Sequence, residues 1–528
     1  MRQIARVASL LLAISCAEGR SRSTADNFPQ LDRALAAMGG EDKVRGIDTM
    51  IVKGTARHWE PHQSVKPDGE MRLAGDSTFI QTRGFSQMAA RTEWDRKLVY
   101  PSPREYRFVE VVTPPAGYVE GIDTTNRPKR ELEGNPPRHV MSAMRLAAAQ
   151  RELMRSSPRL VQVMKSATAS LQPRGEAVGF HAGDIDFTVS FDAGSGLPSR
   201  VSTRDADNVE GDSSYDLVLS DWRDVSGVKI AHGLSYQLNG REVLHVEYNE
   251  VQLNPQIASA QLDVPSDLRA RAPAPASGKV PYQWVIRRQF IGTYLDSDAV
   301  SFDPDATPGL RLAELAPGIS QVVGGSHNSL VVEMADHLIV FDAPVSEWQS
   351  RWTIDAARAK YGQKPVKYLV QTHHHMDHAG GVRTYAAEGA TILVGQGDRP
   401  HFEKVLAAPH QIDGDALQQK PRAAQLEEIA DKKVLSDGKR TVEVLRLDNP
   451  HAEGMLIGYI PDARLGWVAD LWSPGRDKLG DKANPGQVAL VEAVKRLSST
   501  PERFAGGHGS TADYAPLAAL AGQPQATR

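Results

Sequence analysis

Between residues 45 and 265 apolar side chains fall at every second position in short runs, and Gly, Asp, Asn and Pro separate one run from the next. In 243–248, Leu244, Val246 and Tyr248 share one face while His245 and Glu247 share the other, and 187–191 and 216–222 read the same way. A period of two marks strands with one face buried, so this region predicts an antiparallel sheet. One stretch departs from that period. Over 140–164, Met141, Met144 and Leu146 form a helical stripe, which Pro158 should interrupt because proline lacks the donor that a helix interior needs.

The pattern changes after 270–278, where alanine and proline alternate and core formers are few, as in a stiff linker. From about 318 onward, apolar runs at 338–341, 366–370, 391–394, 442–447, 455–460 and 466–469 alternate with helical stretches. One of these covers 346–361 and carries Trp348 and Trp352; another starts at Val488 and places Leu490, Val491, Val494 and Leu497 on one side. Alternation of this kind predicts an α/β domain. The expected plan is a β-rich N-terminal domain over 28–268 with one packed helix, a linker over 269–282 and an α/β domain over 283–520.

Composition narrows the function classes. The chain has 528 residues and a net charge of −4, without the basic excess that neutralises phosphates, so no nucleic-acid partner is expected. Its single cysteine, Cys16, excludes an intrachain disulfide or a multi-cysteine zinc site. That cysteine follows a basic start, Arg2 to Arg6, and an apolar run from Val7 to Ile14, the layout of a signal peptide over 1–16. The run is much shorter than the roughly 20 residues that span a bilayer. Ala13-Ile14-Ser15-Cys16 resembles the bacterial lipobox, with Ala13 where Leu is usual, which implies an exported protein, periplasmic or tethered to the cell envelope through a lipidated Cys16. A plain signal peptide fits the same residues.

Chemistry concentrates after the run 366–370, in Thr372-His373-His374-His375-Met376-Asp377-His378-Ala379-Gly380-Gly381. Imidazoles and a carboxylate are the donors that suit zinc and related divalent ions, and a loop at a strand end can point neighbouring side chains to two sides, enough for two adjacent ions.

These residues resemble the metallo-β-lactamase fold superfamily, and Gly324-Gly-Ser-His-Asn328, Asp342, Asn449-Pro-His-Ala-Glu-Gly-Met455, Trp467-Val-Ala-Asp-Leu-Trp472 and Phe504-Ala-Gly-Gly-His-Gly509 run along its pattern. The resemblance implies an αββα sandwich. By the same analogy His373, His375 and His451 would hold one metal, Asp377, His378 and His508 a second, and Asp470 would bridge them. Asp377 would also orient a bridging hydroxide, and Asp342 would support the loop. Cys16 being the only thiol, the cysteine-type zinc β-lactamases are excluded, and an aspartate at 470 is similar to the glyoxalase II, lactonase and phosphodiesterase branches. His375 argues against the flavodiiron branch. Zinc is the first expectation, and iron or manganese suits the same donors. His374 should point into the scaffold. His327, His401, His410, Trp348 and Trp472 are candidates for lining a cleft, and His58, His62, His139, His181, His232 and His245 have no ligand spacing.

The expected function is hydrolysis of an ester, lactone or related bond in a small molecule, with β-lactam or phosphodiester cleavage as alternatives; the oligomeric state is not encoded in these patterns. A reading of another class comes from 192–198 and 222–229, which are similar to periplasmic lipoprotein-carrier (LolA-like) half-barrels. It makes the N-terminal domain a lipid- or hydrophobe-binding module and the metal domain structural. A β-rich accessory domain without a ligand suits the same segments.

Overall fold

The computed structural model describes residues 28–101, 103–122, 137–182, 185–274, 282, 296, 309–325 and 327–522. The expected signal peptide and residues 275–281 of the expected linker lie outside the described residues. Two compact units emerge. The first comprises Met1–Glu60, Arg72–Asp205 and Ser213–Ala299; the second comprises Val300–Arg528 together with two excursions of the chain, Pro61–Met71 and Ala206–Asp212.

The first unit is built on one antiparallel sheet of thirteen strands. From Arg138–Val140 at one edge, neighbours run back through the sequence to Thr49–Glu60; the next strand is Arg241–Leu253, and neighbours again run back to Leu171–Arg174 at the far edge. The first and last long strands therefore pair at the middle of the sheet, Met50 opposite Leu253 and His58 opposite Leu244. The alternation in 243–248 is met as expected: Leu244, Val246 and Tyr248 are buried while Glu247 is exposed. The turn at 225–228 places Ser226 and Gly227 at positive φ, the backbone of a tight two-residue hairpin. The helical stretch of 140–164 forms Ala143–Arg155 and Leu160–Ser166, parted at 156–159 around Pro158. Ser142 caps the first, and Leu146 packs with Tyr106, Phe108, Val112 and Val119 from the sheet. Two short helices, Pro29–Ala37 and Glu41–Arg45, precede the sheet.

The second unit is a sandwich. A seven-stranded sheet runs in sequence order from Arg311–Ala316 to Gln425–Ile429, and a six-stranded sheet from Lys432–Ser436 to Thr511–Asp513. Strands Leu338–Phe341, Val366–Val370 and Thr391–Gly395 pair in parallel, so the chain must cross over between them, and Glu347–Tyr361 and Val382–Glu388 are the crossover helices. Leu330, Val332, Ile339, Phe341 and Val370 from one sheet meet Val444, Leu456, Ile460, Leu465 and Trp467 from the other in a fully buried layer. Truncating a buried aromatic such as Trp467 to alanine costs about 3–5 kcal/mol. Helix Pro485–Val494, opened by Pro485 and a reciprocal capping box between Asn484 and Gln487, covers the outer face of the six-stranded sheet through Leu490, Val491 and Val494. Among the described residues no helix is long and apolar enough to cross a membrane.

Candidate metal centre

The histidine-rich loop starts where the parallel strand Val366–Val370 ends and feeds a single helical turn, Met376–Ala379. Its shape is fixed from the neighbouring strand end by Asp342. The buried Asp342 Oδ1 accepts bonds from Thr372 N at 2.9 Å and Thr372 Oγ1 at 2.7 Å, and its Oδ2 lies 3.3 Å from His378 Nδ1. Asp342 has φ +60°, a left-handed backbone that costs a non-glycine residue about 1–3 kcal/mol and persists only when neighbours determine it. Gln371 ties the two ends of the loop together, its Nε2 donating to the carbonyls of His373 and His378. Gly381 follows for lack of room: a Cβ there would stand 2.0 Å from Ser350 Oγ and 2.6 Å from the Ser346 carbonyl.

Three further strand ends contribute. His451 lies in the loop before Leu456–Ile460, where Asn449 Oδ1 accepts from the amides of His451 and Ala452. Asp470 lies just past Leu465–Val468, and His508 just past Arg503–Gly506. All seven residues expected as ligands therefore converge, and they fall into two groups. His373, His375, His451 and Asp470 present ligand atoms within 4.8 Å of one another, and so do His327, Asp377, His378 and His508. His327 is the addition: read from the sequence only as a possible cleft residue, it places Nε2 at 3.0 Å from Asp377 Oδ2.

Asp470 faces both groups. Its Oδ2 lies 2.9 Å from His451 Nε2 and 3.2 Å from His373 Nε2, while its Oδ1 lies 2.6 Å from His508 Nε2 and 3.2 Å from His378 Nε2. His375 Nδ1 is 3.0 Å from His451 Nε2. Ligand atoms about 2.0–2.1 Å from a tetrahedral zinc stand roughly 3.3 Å from each other, so these spacings are close to the edges of two coordination shells. The donor set is nitrogen and oxygen only, and it fits two divalent ions.

Protonation favours the same use. Burial, then the neighbouring imidazoles His378 and His451, holds His373 down at about 4, and burial, then His373 and His451, pushes His375 well below the ordinary histidine range. Both rings are therefore neutral at pH 7, as metal ligands must be. Burial alone would raise the Asp470 carboxyl, but His378, His508 and His451 around it hold it well below the usual carboxylate range. His378 is the exception: burial is outweighed by Asp470 and Asp342, its pKa rises well above the ordinary value, and the ring would have to release its proton to bind a metal. His373, His375 and His378 are fully buried, whereas the His451 and His508 side chains keep 18% exposure each. The open side of the centre lies at those two rings.

Other expectations resolve one by one. His374 points into the scaffold, its Nε2 donating to the Ser64 carbonyl at 2.9 Å. His401 pairs with Asp68 and His410 with Asp413, outside both groups. Trp472 is a core residue packed on Phe504 rather than a cleft wall. Two residues carried no signal in the sequence: Gln63 Nε2 donates to Asp377 Oδ1 at 2.6 Å, and the Ser64 carbonyl also accepts from His375 Nε2 at 2.8 Å. Both belong to the Pro61–Met71 excursion of this unit.

The family model described as "Metallo-beta-lactamase superfamily" matches residues 322–499, a span that holds every expected ligand except His508. Among solved structures, a metallo-β-lactamase from Hirschia baltica shares 18% identity over 40% of this chain and 96% of its own, with a TM-score of 0.31. A metallo-β-lactamase from Pontibacter korlensis shares 14% over 41% and 100%, with a TM-score of 0.30. No curated protein matches the chain. The matched span lies in the C-terminal unit, which is therefore similar to the metallo-β-lactamase superfamily over that span and carries two groups of candidate metal ligands at its strand ends.

Proposed function

We propose that the protein hydrolyses a carboxylic ester or lactone in a small molecule, using two divalent ions, with zinc as the first choice. The observation that carries this reading is the Asp470 carboxylate, one oxygen turned to each ligand group, in a centre without sulfur. A carboxylate shared between the groups supports the glyoxalase II and lactonase resemblance over the cysteine-type lactamases.

When bound, such ions lower the pKa of a water toward neutrality and polarise the oxygen of the bond to be cleaved. The chain's own part is to hold the donors in the right state. His373 and His375 stay neutral through burial, and Asp470 stays ionised through the imidazoles around it. Asp377 keeps one oxygen toward His327 and the second group while the other is held by Gln63. His451 and His508, the half-open members, border the approach of a substrate. The test is a panel of chromogenic esters, lactones, a cephalosporin and phosphodiesters presented to zinc-loaded protein. Ester or lactone turnover at least tenfold above the other classes is expected; turnover confined to the cephalosporin or to phosphodiesters would replace this reading with one of its alternatives.

A further inference from the structure

The second unit draws in eleven residues, Pro61–Met71, that stand in the sequence between two strands of the thirteen-stranded sheet. Their contacts concentrate on the metal loop and its surroundings. Gln63 Nε2 donates to Asp377 Oδ1 at 2.6 Å, and the Ser64 carbonyl accepts from both His374 Nε2 at 2.9 Å and His375 Nε2 at 2.8 Å. Further along, the Val65 carbonyl accepts from Glu453 N at 2.8 Å, two residues past His451, and Asp68 pairs with His401. Gln63 and Ser64 are buried.

We propose that this segment is a positioning strap for the metal centre: Gln63 sets the rotation of Asp377, and the Ser64 carbonyl sets the tautomer of His375. The proposal rests on the dinuclear reading and deepens it. An imidazole whose Nε2–H is committed to a carbonyl offers only Nδ1 as a lone pair, and His375 Nδ1 is the atom that stands 3.0 Å from His451 Nε2 within the first group. One carbonyl oxygen has two lone pairs, so Ser64 serves His374 and His375 together. On the other side, Gln63 donates to Asp377 Oδ1 and leaves Oδ2 aimed at His327, inside the second group. Free to rotate, the carboxylate would exchange its two oxygens; with an amide N–H fixed on one of them, it does not. Neither residue touches the reacting atoms in this account.

Partners that orient a ligand typically alter metal affinity by about 10–100-fold when removed. The variant Gln63→Met keeps the length of the side chain without its donor, and Gln63→Glu replaces the donor by an acceptor facing a carboxylate. Cobalt(II) titration of metal-free protein, followed by its visible absorption, reads the two sites separately from turnover. Expected are a first site unchanged, a second site weakened about 10–100-fold in Gln63→Met and more in Gln63→Glu, and an altered second-site spectrum, with the unfolding midpoint of the metal-free protein unmoved. Two equal affinities and an unchanged spectrum in Gln63→Met overturn the proposal while leaving the dinuclear reading intact. Parent protein that takes fewer than two cobalt ions overturns both. Independently of any variant, nitrogen-15 histidine spectra of the metal-free parent should show His375 as its Nε2–H tautomer; the Nδ1–H form would refute the role given to Ser64.

Discussion

At the scale of single residues the centre is a matter of which atom of each side chain is left for a metal. Asp377 shows it best. Burial would push its carboxyl up, but the His327 ring beside it holds it well below the usual range, so it is ionised across the working pH range. Replacing it removes a donor from the second group and deprives both His327 Nε2 and Gln63 Nε2 of their acceptor. In Asp377→Ala we expect kcat to fall by more than about 100-fold, beyond what loss of an outer partner gives. The urea midpoint should move far less, because the loop remains fixed by Asp342, Thr372 and Gln371. Retention of two ions and of normal turnover in that variant would show that Asp377 has another role. His373, His375, Asp377 and His378 were legible as candidates because their residue types crowd one strand end, whereas His451, Asp470 and His508 joined them only through the family resemblance. His327 was half legible, as a histidine in a loop, since its approach to Asp377 depends on a fifty-residue contact that no local spacing encodes.

At the scale of elements the alternation of polar and apolar positions carried far. The strands Leu338–Phe341 and Val366–Val370 match the runs that predict them, Leu456–Ile460 starts one residue later than its run, and Leu465–Val468 is shifted by one residue at both ends. Buried strands read as continuous apolar runs bounded by turns, so their positions survive without tertiary information. The excursions Pro61–Met71 and Ala206–Asp212 did not survive in that way. Their sequences are those of ordinary polar connections, and what recruits them are single distant bonds, such as Asn208 Nδ2 to the Val345 carbonyl at 2.6 Å. Helix Arg399–Ala407 offers a test at this scale. Asp398 stands at its N-cap position yet makes no capping bond; burial, opposed by Arg446, pushes its carboxyl up to about 8. A carboxyl with a folded pKa above its unfolded value binds more protons in the folded state, so stability falls as pH rises between about 4 and 8. Asp398→Asn cannot ionise and escapes that loss. Urea unfolding should find the variant about as stable as the parent near pH 4 and more stable by a few kcal/mol near pH 8, each pKa unit being about 1.4 kcal/mol. An advantage equal at both pH values would mean that Asp398 is ionised in the folded protein.

At the scale of the whole molecule the distribution of metal-dependent order follows from which segments supply donors and which brace them. The candidate donors are His327, His373, His375, Asp377, His378, His451, Asp470 and His508, and the bracing comes from Gln63 and Ser64, all within the second unit. An ion that binds only the folded state stabilises it by about 2.7 kcal/mol at a free concentration one hundred times its dissociation constant, and the gain is felt first by segments whose local opening would break the site. Chelation should therefore raise amide exchange at 372–381, 449–455 and 506–509, and also at 63–65, while leaving the paired strands Thr49–Glu60 and Arg241–Leu253 unchanged. Hydrogen-exchange mass spectrometry of the metal-loaded and chelated full chain measures this peptide by peptide. The peptide spanning 61–71 decides most. If its exchange rises with that of the histidine loop, the strap and the ligands form one cooperative piece. If it stays level while the loop loosens, those bonds are incidental to the metals, because a brace that shares the load of its ligands has to share their release.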